Sequence, residues 1–169
     1  MAKPEFLSPQ NISNTLAFTV ELGLIALAMT LLMTSGEFDL SVGSVFGFAP
    51  VLMWTLFNSG AAPLEVGFLA AIAVAALIGL VNGCFVTGLK IPSFLVTLGM
   101  LLVVRGTALF ITDGFPQRTW NTGGNWLAWL LAGDFYVGSF RIYMSLFWFI
   151  AAALAMGYVC LLYTSDAAD

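Results

Sequence analysis

Histidine is absent from the 169 residues, and charge is scarce: only 8% of positions are Asp, Glu, Lys or Arg. An average protein carries about 25%. Without histidine, the side chain most used for general acid–base catalysis and metal ligation near neutral pH is missing. The two cysteines, Cys84 and Cys160, each lie in an apolar run and indicate no disulfide framework. Five basic residues form no patch, so nucleic acid is not an expected partner, and a net charge of −4 points to no other. There is no Gly-x-x-x-x-Gly-Lys-Ser/Thr loop, no His-Glu-x-x-His and no Gly-x-Ser-x-Gly. Residues 1–14 are polar and lack the charged-then-apolar order of a cleavable signal peptide, so insertion is expected to use the chain's own spans.

What the sequence has is apolar surface: 60% of its residues are hydrophobic. A soluble domain of this size has no interior large enough to hide that much, which leaves an integral membrane protein. A span needs about 20 mostly apolar residues. Runs at 15–35, 42–57, 67–89 and 92–112, with a last one starting near Ile142, predict an all-α, polytopic transmembrane helix bundle of about five spans. Ser8-Pro9-Gln10-Asn11 reads as a turn into the first helix. Pro50 is expected to kink the second span or free a carbonyl. Residues 113–141 read as a long mixed loop rich in aromatics, Phe115, Trp120, Trp126, Trp129, Phe135 and Tyr136 among them. Within it, 125–131 suits a short helix at the membrane interface, where tryptophan prefers to sit; a stacking site for sugar is the functional alternative.

A few polar residues interrupt this apolar chain. Between the first two spans lies Gly36-Glu37-Phe38-Asp39-Leu40-Ser41-Val42-Gly43-Ser44, where the backbone must break and restart. Asp39 or Ser41 is placed to cap the second helix, accepting its free N–H groups, and an acid there also complements the helix dipole. Glu21 is an intramembrane acid, read either as functional or as snorkelling from near the helix end. Asn82 is either an interhelical hydrogen-bonder or a pathway residue. Arg105, the only basic residue inside an apolar run, needs a carboxylate, carbonyls or water; Asp39 and Asp113 are the partners considered. Gly43 and Gly47, then Gly79 and Gly83, repeat the small-xxx-small spacing that lets helices approach closely.

Four strings carry a family resemblance. Asp39-Leu40-Ser41-Val42-Gly43-Ser44 resembles the Gly-Gly-Ile-Asp-Leu-Ser-Val-Gly-Ser pattern of permease subunits from bacterial ABC importers for simple sugars of the ribose, xylose and galactose type. Glu37 and Phe38 depart from it. Asn82-Gly83, then Lys90-Ile91-Pro92-Ser93-Phe94-Leu95-Val96-Thr97-Leu98-Gly99-Met100, then Arg105-Gly106 follow in the family's order. The resemblance covers 6–159. It implies a partial permease domain over 1–159, forming part of a translocation pathway for a monosaccharide or related small polar solute. It implies a multi-pass protein of the bacterial plasma (inner) membrane. A second permease subunit, a separate ATP-binding subunit and an external solute-binding protein are the expected partners, with no cofactor and no catalytic or metal site on this chain. Autoinducer or nucleoside cargo is the alternative within the family.

The resemblance also implies a helix before Met1 and a second half after the last span, so the chain reads as incomplete at both ends. Residues 160–169 depart from the family and resemble a translated sequencing-library adapter, hence a non-native tail. Lys90 in its tight loop places that loop, and by parity the Asp39 break, on the cytoplasmic side, with 113–141 outside. Arg118 and Arg141 in the outer loop argue weakly against this orientation. A membrane-embedded enzyme lacks a nucleophile–base pair or metal cluster, while a non-transporting assembly protein explains the seams but not the ordered strings.

Overall fold

The computed structural model describes residues 4–119 and 124–165. A short 3₁₀ turn, Pro4–Leu7, leads into α1, Pro9–Thr34. Ser8 caps α1: its Oγ accepts the Asn11 N–H at 3.3 Å, and Pro9 follows with its fixed φ. The predicted turn is therefore there, and α1 starts six residues before the apolar run does. Next come α2, Val42–Asn58, α3, Leu64–Gly83, and α4, Ser93–Thr112. A wide π turn, Cys84–Gly88, continues α3. The chain closes with α5, Trp126–Ala132, an antiparallel hairpin of β1, Asp134–Val137, and β2, Phe140–Tyr143, and α6, Ser145–Ser165.

Three helical stretches, Pro9–Thr34, Leu64–Gly88 and Ser93–Thr112, are long and apolar enough to cross a membrane; Val42–Asn58 and Ser145–Cys160 are shorter apolar helices. Within the three long ones, at most 17% of the apolar window is buried inside the chain. Their remaining apolar surface needs lipid or other protein around it, as a polytopic membrane helix bundle requires.

The chain divides into two compact units. In the first, Leu32–Leu127, α2 packs on α3 and on α4. Phe48, Leu64, Ala71 and Val104 are buried there. The tight seam is at Gly67, where an added Cβ would sit 3.0 Å from the Met53 carbonyl oxygen of α2. Gly43, Gly47, Gly79 and Gly83 were expected to form such seams, but an added Cβ at any of them would meet nothing within 4 Å. Pro50 lies inside α2 and withholds the N–H that would otherwise meet the Phe46 carbonyl.

The second unit joins residues up to Leu31 with those from Ala128 onward. Here α1 and α6 approach at Gly23, where an added Cβ would lie 2.6 Å from the Phe149 ring. The hairpin corrects the expectation of an irregular loop up to Arg141. Its two-residue turn uses Gly138 at φ +63°, the left-handed value that the first position of a II′ hairpin turn requires. The Met144 N–H donates to the Gly133 carbonyl at 2.8 Å and closes the hairpin's base, so α6 starts at Ser145 rather than near Ile142. Trp120, Gly123 and the tail residues Asp166 to Asp169 lie outside the described residues.

Candidate functional site: a polar knot at the break before α2

The chain leaves α1 through a Schellman turn. Gly36, at φ +81°, donates its N–H to the Met33 carbonyl, and the Glu37 N–H reaches back to Leu32. The next residues run along the first turns of α4. The Phe38 N–H donates to Ser93 Oγ at 3.4 Å, and the Leu40 N–H to Thr97 Oγ1 at 3.1 Å. Ser93 and Thr97 stand four apart on one helix face, so they meet alternate amides of the crossing segment. Thr97 Oγ1 donates to the Ser93 carbonyl at 2.8 Å, which leaves its lone pair free for Leu40.

Asp39 turns inward between those two amides. Its Oδ1 accepts the Ser41 N–H at 2.7 Å and the Ser41 hydroxyl at 2.6 Å. An ionised carboxylate only accepts, so Ser41 Oγ must donate to it and can accept from elsewhere. Asn82, the penultimate residue of α3, supplies that donor: its Nδ2 reaches Ser41 Oγ at 3.1 Å. Ser41 is fully buried and Asn82 and Thr97 nearly so. The break is thus held by three helices, with Asp39 as the acceptor that orients the Ser41 hydroxyl and so leaves its oxygen to accept from Asn82. Asn82 Oδ1 is buried with no partner among the described residues.

This geometry corrects the capping role expected of Asp39 and Ser41. Ser41 occupies the N-cap position of α2 but makes no side-chain bond to the helix's free N–H groups. Asp39 stops at the Ser41 amide, short of the second and third helical amides that a cap satisfies. Its two bonds form a local turn within the break itself.

Arg105 is not part of the knot. It lies eight residues beyond Thr97 and eight before Asp113, about 12 Å of helix rise from each. Neither Asp39 nor Asp113 pairs with it; among the described residues the only ion pair joins Arg141 and Asp134. Arg105 instead borders a cleft of about 440 Å³ between α2 and α4, with Gly43, Ser44, Gly47 and Phe48 opposite. Glu21, exposed on α1, borders a separate cleft of about 530 Å³ with Asn14, Phe18, Tyr143 and Ser145.

Several polar ties escape the sequence reading. Asn125 caps α5, its Oδ1 accepting the Leu127 N–H at 2.8 Å while its Nδ2 donates to Glu65 Oε1 at 2.9 Å. An Asn just before an apolar heptamer is the signal for the first bond; nothing local signals the second. In the hairpin, the Arg141 guanidinium donates to Asp134 Oδ1 at 2.7 Å and lies 4.9 Å from the Tyr143 ring centre. That hydrogen bond and charge hold the Asp134 carboxyl below its ordinary value and raise the Arg141 guanidinium above its own.

A break before a helix, knotted by polar side chains in an otherwise apolar bundle, suits a transport protein. The family described as "Branched-chain amino acid transport system / permease component" matches residues 11–165. The chain belongs to that permease family. The xylose/arabinose import permease protein of Sulfolobus acidocaldarius is 34% identical over 66% of this chain and 33% of its own. The xylose transport system permease protein of Haemophilus influenzae is 40% identical over 64% of this chain and 29% of its own. An autoinducer 2 import system permease protein of an Enterobacter species is 39% identical over 66% and 32%. The chain spans about a third of the length of the curated relatives it matches. No solved structure matches it.

Proposed function

We propose that this chain contributes the translocation pathway to the membrane-spanning permease subunit of an ATP-driven importer, in the plasma (inner) membrane of a bacterium. The solute is a monosaccharide or a related small polar molecule. The observation that carries this reading is the permease family match over residues 11–165, together with relatives named for xylose and arabinose import. ATP hydrolysis belongs, on this reading, to a separate subunit of the importer. A second permease subunit and an external solute-binding protein complete the assembly. The permease supplies two states with different contacts to its partners, and nucleotide binding shifts the balance between them. The Asn82–Ser41 tie at the helix break is where that switch would act, because a knot holding three helices together must loosen if they move apart.

The relatives named for autoinducer 2 import favour a second reading, with that signalling molecule as the solute. A strain deleted for its pentose importers and given the full-length permease with its neighbouring genes distinguishes the two. Uptake of labelled xylose or arabinose, abolished with the ATP-binding subunit, supports the first. Uptake of autoinducer alone supports the second, and uptake of neither sinks both.

A further inference from the structure

Arg105 is a fixed cation halfway along a span, and no hydrogen bond or ion pair reaches it among the described residues. A guanidinium in a membrane helix faces protein or water and is paired with a carboxylate or carbonyls. It is exposed and borders the cleft between α2 and α4, whose opposite wall includes Gly43 and Gly47. An added Cβ at either glycine would meet nothing within 4 Å. Their i, i+4 spacing therefore offers a smooth strip to a helix that is not among the described residues. Phe48 and Leu101 make the wall apolar, and Ser44 adds a hydroxyl.

We infer that this cleft is the seat of a transmembrane helix from the remaining part of the same permease polypeptide, and that this helix carries an Asp or Glu paired with Arg105. Two observations select that occupant. The charge complementary to an unpaired guanidinium is a carboxylate, and the matched stretch is about a third of each relative, so much of the polypeptide packs around these helices. The inference concerns assembly and does not depend on which solute is carried.

The test uses the permease at its relatives' full length in native membranes, with Cys84 and every other native cysteine changed to serine. Ser44→Cys is labelled with a benzophenone maleimide and irradiated, and the adducts are mapped by mass spectrometry. The expected adduct lies in the same polypeptide, beyond residue 165, in an apolar span containing an acid. An adduct to phospholipid, a dimer between two permeases, or labelling abolished by transported solute without a protein adduct overturns the inference. A second arm reads the pair itself. Arg105→Glu is expected to lower membrane abundance at least fivefold, and changing the mapped acid to Lys is expected to restore it. Wild-type abundance for Arg105→Glu, or no rescue, overturns the pairing.

Discussion

Asp39 and Glu21 are both carboxylates set against long apolar runs, yet the chain treats them in opposite ways. Asp39 is half-buried and accepts two hydrogen bonds from a fully buried serine, which a third helix then engages through Asn82. Glu21 is exposed, beside a cleft edged by Asn14, Tyr143 and Ser145, and no bond reaches it among the described residues. The difference teaches where an acid acts as structure in a membrane protein. At a helix break, orphan backbone and hydroxyl donors are available, and lipid leaves them unsatisfied. In mid-helix the backbone donors are already used, so an acid must find water or another chain.

The largest expected effect comes from breaking the knot. Asp39→Ala leaves the Ser41 amide and hydroxyl without their acceptor, at about 1–3 kcal/mol for each buried group. The thermal midpoint of the full-length permease in detergent should fall sharply, and its membrane abundance with it. Asp39→Asn keeps an acceptor oxygen and loses only the charge assistance, so its loss should be about 1 kcal/mol. Equal behaviour of the two variants would show that the charge, not the acceptor, holds the break.

The second prediction compares a tight glycine with an open one. Gly67→Ala drives a methyl toward the Met53 carbonyl, a backbone atom that cannot rotate away. Overpacking of this kind costs about 1–3 kcal/mol, against a helix-propensity gain of at most about 1. Gly79→Ala meets no atom within 4 Å and keeps only the gain. Unfolding in detergent should therefore rank Gly67→Ala below wild type and Gly79→Ala at or above it. A loss at Gly79 would place another helix against that strip.

The helices were legible because their signal is local and repeated: long apolar runs, Ser8-Pro9 at a start, Gly36 at a stop. The break at 36–44 was legible too, since two acids and two small hydroxyl residues stand there between long apolar runs. What the sequence concealed is pairing at a distance. Nothing near Asp39 says that its serine meets Asn82, 41 residues on, or that Ser93 and Thr97 receive the segment's amides. The cap reading failed for a related reason, because a carboxylate two residues before the N-cap position has two sets of donors within reach and sequence does not rank them. The hairpin left a weaker trace. Gly138-Ser139 between short aromatic and β-branched runs is a turn signal, overshadowed by the surrounding tryptophans.

A smaller effect is expected at the hairpin, in the second unit. The Asp134 carboxyl is held below its ordinary value by Arg141, so the folded form binds its proton less tightly than the unfolded form does. The pair's contribution is therefore present at neutral pH and is lost as pH falls through the depressed value, below the usual carboxylate range. Amide exchange at Phe135 and Ile142, which face each other as a hydrogen-bonded pair, corrected for its intrinsic pH dependence, should stay slow down to that range and rise below it. Asp134→Asn should remove the pH step. A step at higher pH would implicate another carboxylate.

The smallest effect is expected at Glu21, and it bears most directly on the contrast with Asp39. Glu21→Gln removes a charge but leaves no described donor without its acceptor, because none is bonded to it. Its cleft is edged by polar groups: Tyr143 donates its hydroxyl to Asn14 Oδ1 at 3.4 Å, and Asn14 lies about two helical turns from Glu21. The variant should match wild type in membrane abundance and differ in stability by no more than about 0.5 kcal/mol. Transport is then the informative readout. Normal abundance with reduced uptake would give Glu21 a role in the pathway, whereas reduced abundance would reveal a partner outside the described residues and make the two acids alike after all.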